Sequence, residues 1–161
     1  MQSSYTWFEN TAEKTIIRCT PNDPKIQAQV NQILYFDSDT LYPAFKNQYN
    51  PHIYYTIELI EETKDKIQES LEFLENVLKK SIWTAGDSMT VADFSLVTSI
   101  STLQVFDVHL EMYEFINEWL TRCSSKMQGY EMANLLGIDL TRTLLKSYRE
   151  TSDDLSEMDS P

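Results

Sequence analysis

Residues 90–106 are apolar or small on every side of a helix. Val91, Ala92, Phe94, Ser95, Leu96, Val97, Ser99, Ile100, Ser101, Leu103 and Val105 leave no polar face of any width. A helix of that kind cannot lie at a surface and has to be enclosed by other helices. Its start is marked locally. Thr90 can cap the backbone N–H three residues on, and Asp93 can reach back to the N–H of Thr90, while Met89 and Phe94 occupy the two positions of a hydrophobic staple. A buried helix cannot leave its first N–H groups to water, so this capping box is a structural requirement.

The flanking segments supply the enclosure. Pro24 suits a first helical turn with Asp23 as N-cap. Ile26, Val30, Ile33, Leu34, Asp37 and Leu41 then follow helical spacing, and Pro43 is expected to kink the run before it resumes at Phe45 and Tyr49. A second helix is expected from about His52 to Lys79, with Ile57, Ile60, Ile67, Leu71, Leu74 and Leu78 along one face. The acidic residues between them, Glu58 to Glu75, read as a solvated outer face. A further helix, about Glu111 to Met127, turns Tyr113, Ile116, Trp119, Leu120 and Cys123 inward. Gly129 and Gly137 are expected to punctuate short helices ending near Tyr148.

These elements make one helical domain, 24–150, between a short non-domain segment, 1–23, and an acidic tail, 151–161, expected to be disordered. Three glycines in 161 residues argue against a turn-rich all-β fold. The net charge of −12 removes the basic surface that nucleic acid or an anionic membrane requires. No stretch approaches the ~20 apolar residues of a membrane span. Two cysteines, Cys19 and Cys123, cannot build a disulfide framework, and the start lacks a secretory pattern, so the chain reads as cytoplasmic.

The residues offer no catalytic constellation. His52 and His109 stand in no metal spacing, the cysteines lack a C-x-x-C partner, and neither a nucleophile elbow nor a glycine-rich phosphate loop occurs. No metal and no cofactor is expected. What the sequence does offer is an aromatic stripe: Tyr42, Phe45 and Tyr49 at spacings of three and four, with Tyr35 further back. Such a stripe is ordinary core or the wall of an apolar ligand pocket. Two phenolic hydroxyls are costly in a dry core without partners and natural beside a cleft. As a cleft wall, Phe45 would tolerate truncation with little loss of stability.

Two runs resemble a known family. Val30–Asn31–Gln32–Ile33–Leu34–Tyr35–Phe36–Asp37–Ser38–Asp39–Thr40–Leu41–Tyr42–Pro43 is similar to the first helix of the C-terminal domain of insect delta and epsilon glutathione S-transferases. Ala85–Gly86–Asp87–Ser88–Met89–Thr90–Val91–Ala92–Asp93–Phe94–Ser95–Leu96–Val97 resembles the start of its buried central helix. The resemblance spans about Pro24 to Tyr148 and implies an all-α helical bundle. It also implies conjugation of glutathione to apolar electrophiles, with Tyr42, Phe45 and Tyr49 on the substrate wall. In the family, a thioredoxin-like domain supplies the glutathione site and the catalytic hydroxyl. The 23 residues before Pro24 fall short of the ~50 of a small domain. No catalytic or glutathione-binding residue is therefore carried over, and the isolated chain is expected to be inactive.

Three readings stay open on these grounds: a transferase-family protein, a non-catalytic interaction module, or an apolar-ligand binder. The first helix keeps Ile26, Val30, Leu34, Tyr35, Phe36 and Leu41 on several sides, which predicts a docking face covered by a second copy, by the N-terminal segment with Trp7 and Phe8 folding back, or by another protein.

Overall fold

A computed structural model describes residues 21–46, 61–106, 108–144, 146 and 147. Tyr49, His52, Cys19 and the acidic tail lie outside the described residues. Helix α1 (Pro24–Phe36) opens as its sequence dictates: the Asp23 carboxylate accepts from the N–H groups of Lys25, at 2.8 Å, and Ile26, at 3.2 Å. The chain passes without a break through a π-turn, Asp37–Leu41, into the short helix α2 (Tyr42–Lys46). The expected kink at Pro43 is replaced by this wide turn just before it. Helix α3 covers Glu61–Leu78, α4 Val91–Leu103 with a 3-10 turn at Gln104–Phe106, and α5 Glu114–Lys126. A second π-turn, Glu131–Leu135, leads into α6 at 136–144. No strand occurs among the described residues. Trp83 and Gly86 pair as an isolated bridge in the loop before α4, where Gly86 holds φ +130°. No helix among them is long and apolar enough to cross a membrane.

Helix α4 is the centre. Its Ala92, Leu96, Val97, Ile100 and Leu103 are buried, and each neighbouring element contributes a stripe to them. Val30, Ile33, Leu41 and Phe45 come from α1 to α2, Ile67, Leu71, Leu74 and Leu78 from α3, and Ile116, Trp119 and Cys123 from α5. Each of these larger side chains, fully buried, contributes roughly 1.5–3 kcal/mol relative to exposure. Phe36 on α1 and Phe73 on α3 add a tilted ring contact at 4.6 Å. Gly137 does not interrupt the last helix but lies within α6.

Two polar arrangements close helix ends inside this packing. Thr90 and Asp93 stand in capping-box geometry, with Met89 and Phe94 half-buried on either side. Asp93 is fully buried and does more than cap. Its Oδ2 accepts from the Thr90 N–H at 2.8 Å and the Thr90 hydroxyl at 3.2 Å. Its Oδ1 accepts from the Thr84 N–H at 3.0 Å, the Thr84 hydroxyl at 2.9 Å and the Trp119 indole N–H at 3.0 Å.

Glu75 closes α5 from a distance. Tyr113, at the N-cap position, makes no side-chain cap. Instead the two oxygens of Glu75, on α3, accept from the N–H groups of Phe115 and Ile116, each at 3.0 Å. The expected solvated face of α3 is thus corrected at one position: Glu75 is half-buried and structural. Burial, then the charges of Glu72 and Glu75, push the Tyr113 hydroxyl pKa upward.

The supposed docking face on α1 needs a similar correction. Val30 and Leu41 are in the core and Leu34 and Phe36 are half-buried, because the helix packs on α4 and α3. Ile26 and Tyr35 are its exposed apolar residues.

Candidate ligand cleft

The π-turn decides which aromatic residues face where. Its first residue, Asp37, falls on the inward side of α1 and is buried. The hydroxyl of Ser95, on α4, donates to Asp37 Oδ2 across 58 residues of sequence. Asp37 Oδ1 is also buried and has no hydrogen-bond partner. This contact ties the wide turn to the central helix immediately before Tyr42 and Phe45.

Tyr42 and Phe45 meet edge to face, with ring centroids 5.3 Å apart and planes at 82°. Together with Thr98, Ser99 and Thr102 of α4 they line an open cleft of about 220 Å³. The two rings divide the work: Tyr42 is 44% exposed, whereas Phe45 is 1% exposed and belongs to the core cluster. The expectation that Phe45 could be truncated cheaply is therefore overturned, since its ring both bounds the cleft and fills the interior. Tyr35, earlier in the stripe, is 67% exposed on α1 and outside the cleft lining.

Sequence reasoning missed the opposite wall. Thr98 and Thr102 lie one turn apart, and each hydroxyl donates to a backbone carbonyl at 2.7 Å, of Ser95 and Thr98 respectively. Their position on an otherwise apolar helix was the available signal. A larger depression of about 390 Å³ lies nearer the start of α1, between Gln29, Gln32, Phe73, Asn76 and Lys80, with no feature in common with the aromatic wall.

The cleft is lined, among the described residues, by two aromatic rings and three hydroxyl side chains. Among the described residues, no cluster of His, Cys, Asp or Glu could hold a metal ion. Cys123 is buried, and desolvation, reinforced by the charge of Asp93, pushes its thiol up to about 12. A protonated buried thiol is a poor nucleophile. His109 sits exposed in the loop before α5, 3.6 Å from Glu111.

A bundle gathered round one capped, buried helix, α4, with an aromatic wall on α2, has the architecture of a transferase-type helical domain. The family model for the glutathione S-transferase C-terminal domain matches residues 38–126. The chain belongs to the glutathione S-transferase family through this domain. It is 33% identical over 129 residues to glutathione S-transferase D7 of Anopheles gambiae, covering 79% of this chain and 59% of that relative. A delta-class glutathione transferase of Nilaparvata lugens superposes with a TM-score of 0.75 at 34% identity, covering 92% of this chain and 70% of that one. An epsilon-class glutathione S-transferase of the housefly, Musca domestica, gives 0.73 at 27% identity, with 92% and 70% covered. The chain thus spans about three fifths of the length of the curated relative it matches.

Proposed function

We propose that this chain is the substrate-wall domain of a glutathione transferase system acting on apolar electrophiles, and that by itself it binds an apolar ligand without conjugating it. The observation that carries the reading is the cleft between Tyr42, Phe45 and the Thr98–Thr102 edge of α4. It offers an aromatic surface and hydroxyl oxygens, as an apolar-ligand pocket does. Tyr49, one turn beyond Phe45 in the sequence, extends the same wall in this reading. Conjugation needs a donor aimed at the glutathione sulfur and a preorganised site for the tripeptide. The described residues around the cleft provide neither, so glutathione is a co-substrate bound elsewhere in the system. The helical unit 24–150, preceded by a short segment and followed by an acidic tail, acts in the cytoplasm, as a homodimer or with another protein.

The test has two arms on the purified chain. An apolar fluorescent probe binds wild type and loses affinity in Tyr42→Ala. Glutathione and an electrophilic aromatic substrate react at the background rate with or without the chain. Turnover above background, or probe binding indifferent to Tyr42, overturns the reading.

A further inference from the structure

The hydroxyl side chains on the α4 wall of the cleft are not equivalent. Thr98 and Thr102 each donate at 2.7 Å to a backbone carbonyl, of Ser95 and Thr98 respectively. A hydroxyl has one proton and two lone pairs, so these two offer the cleft acceptor capacity alone. Ser99 differs. It is 7% exposed, it lines the cleft, and among the described residues its hydroxyl has no hydrogen-bond partner. The carbonyl a helical serine ordinarily turns to lies four residues back, at Ser95, and that group already accepts from Thr98. Ser99 therefore keeps its proton for whatever enters the cleft.

The three groups stand together. Around the axis of α4, Thr102 lies about 40° from Thr98, and Ser99 about 60° beyond Thr102. One free donor thus sits beside two acceptors, facing the same space as the rings of Tyr42 and Phe45.

A ligand is selected by what it does to these groups. A plain hydrocarbon covers the Ser99 hydroxyl and leaves it unpaired, which costs free energy at a buried position. An ether oxygen accepts from Ser99 but brings no proton for the threonines. A carboxylate has the same defect and meets a chain of net charge −12. A hydroxyl answers both sides: its oxygen accepts from Ser99 Oγ, and its proton goes to Oγ of Thr98 or Thr102. The apolar remainder lies against Tyr42 and Phe45. The cleft, at about 220 Å³, is smaller than the ~300 Å³ at which pockets for drug-sized ligands begin, which holds that remainder to one or two rings. We propose that Ser99 is the specificity-determining residue of the cleft and selects a compact aromatic ligand of one or two rings bearing a hydroxyl group. This rests on the reading of the cleft as an apolar-ligand site and names the members of that class it prefers.

Equilibrium dialysis of the full chain at neutral pH tests it with naphthalene, 2-methoxynaphthalene and 2-naphthol, a series that adds an acceptor and then a donor to one body. Wild type binds them in rising order, 2-naphthol roughly fivefold more tightly than naphthalene, the scale of a net hydrogen bond. Ser99→Ala keeps the helical circular dichroism and the binding of naphthalene, and removes most of that preference. Thr98→Val with Thr102→Val removes the advantage of 2-naphthol over 2-methoxynaphthalene and spares the other two ligands. The wild-type series decides alone where a variant does not fold. Equal binding of the three ligands, a preference unchanged in Ser99→Ala, or an advantage of 2-naphthol that survives the threonine variant overturns the role of Ser99 and leaves the cleft an apolar-ligand site. Binding of none of them, or binding indifferent to Tyr42→Ala, overturns the cleft itself and this proposal with it.

Discussion

The carboxylate of Asp93 and the indole N–H of Trp119 meet at 3.0 Å in the interior, 26 residues apart in the chain. This bond joins the start of α4 to the middle of α5 and to the loop at Thr84, which shares the same oxygen. Five donors converge on one buried side chain, so its loss strands groups from three segments at once.

Asp93→Ala is accordingly expected to cost well beyond the ~1 kcal/mol of an ordinary cap, because buried donors left unpaired cost about 1–3 kcal/mol each. Asp93→Asn is no mild change either. Its single carbonyl oxygen can serve the Thr90 side or the Thr84 and Trp119 side, and its amide group then faces donors on the other. Urea unfolding followed by Trp fluorescence and circular dichroism ranks the variants: wild type, then Asn, then Ala. An Asn variant as stable as wild type contradicts the two-sided arrangement.

Glu75→Ala removes the carboxylate that caps the Phe115 and Ile116 N–H groups of α5 and should destabilise the fold by about 1–2 kcal/mol, the range for losing a capping acceptor. Glu69→Ala, on the solvent side of the same helix, should change stability by less than about 0.5 kcal/mol. The contrast between the two, measured by urea unfolding, separates capping from general charge effects.

Phe45→Ala should cost about 3–5 kcal/mol, as for a buried ring, while Tyr42→Ala costs much less because its ring is half in solvent. Thermal melts give the first comparison. A Phe45 variant melting with wild type would remove that ring from the core.

Cys123 should resist alkylation by iodoacetamide at pH 8 in the native state and react once the protein is unfolded, read by mass on a Cys19→Ser background. The same shift sets a pH dependence. In the unfolded chain the thiol loses its proton near 9, whereas in the fold it holds it to about 12. The unfolded state then binds fewer protons between those values, so stability is complete below about pH 9 and declines toward 12. Tyr113, raised from 10, acts in the same direction. Rapid native alkylation at pH 8 would contradict the burial argument.

Ser95→Ala should destabilise by about 1–3 kcal/mol, since it leaves the buried Asp37 carboxylate with no donor. Ser95→Thr keeps a hydroxyl and should recover part of the loss in the same unfolding experiment.

How much of this was readable in advance follows from the range of each interaction. The central position of α4, the Asp23 cap and the Thr90–Asp93 box depend on neighbours within one or two turns, and local spacing exposes them. Glu75 sits in an acidic run, and nothing near it in sequence says that its carboxylate reaches Phe115 and Ile116. Asp37 shows up as a polar residue at an apolar position, but Ser95 is visible only in the folded chain. The aromatic stripe was half legible. Spacing gathered Tyr42 and Phe45 correctly, yet three residues separate their directions by about 60°, enough to put one ring in solvent and the other inside.

The wide turn at Asp37–Leu41 gives the aromatic wall one residue of slack. The Tyr42 N–H reaches back five residues to the Asp37 carbonyl, one further than in an α-helix. Ser38, Asp39 and Thr40 are exposed there. Deleting any one of them would let the same N–H bond a carbonyl four residues back, as in a regular α-helix, and Tyr42 and Phe45 would keep their faces. Deleting Ala44, inside α2, meets no such slack and would turn Phe45 by about 100°, out of its slot under α4. The chain length tolerated just before the wall is not tolerated within it.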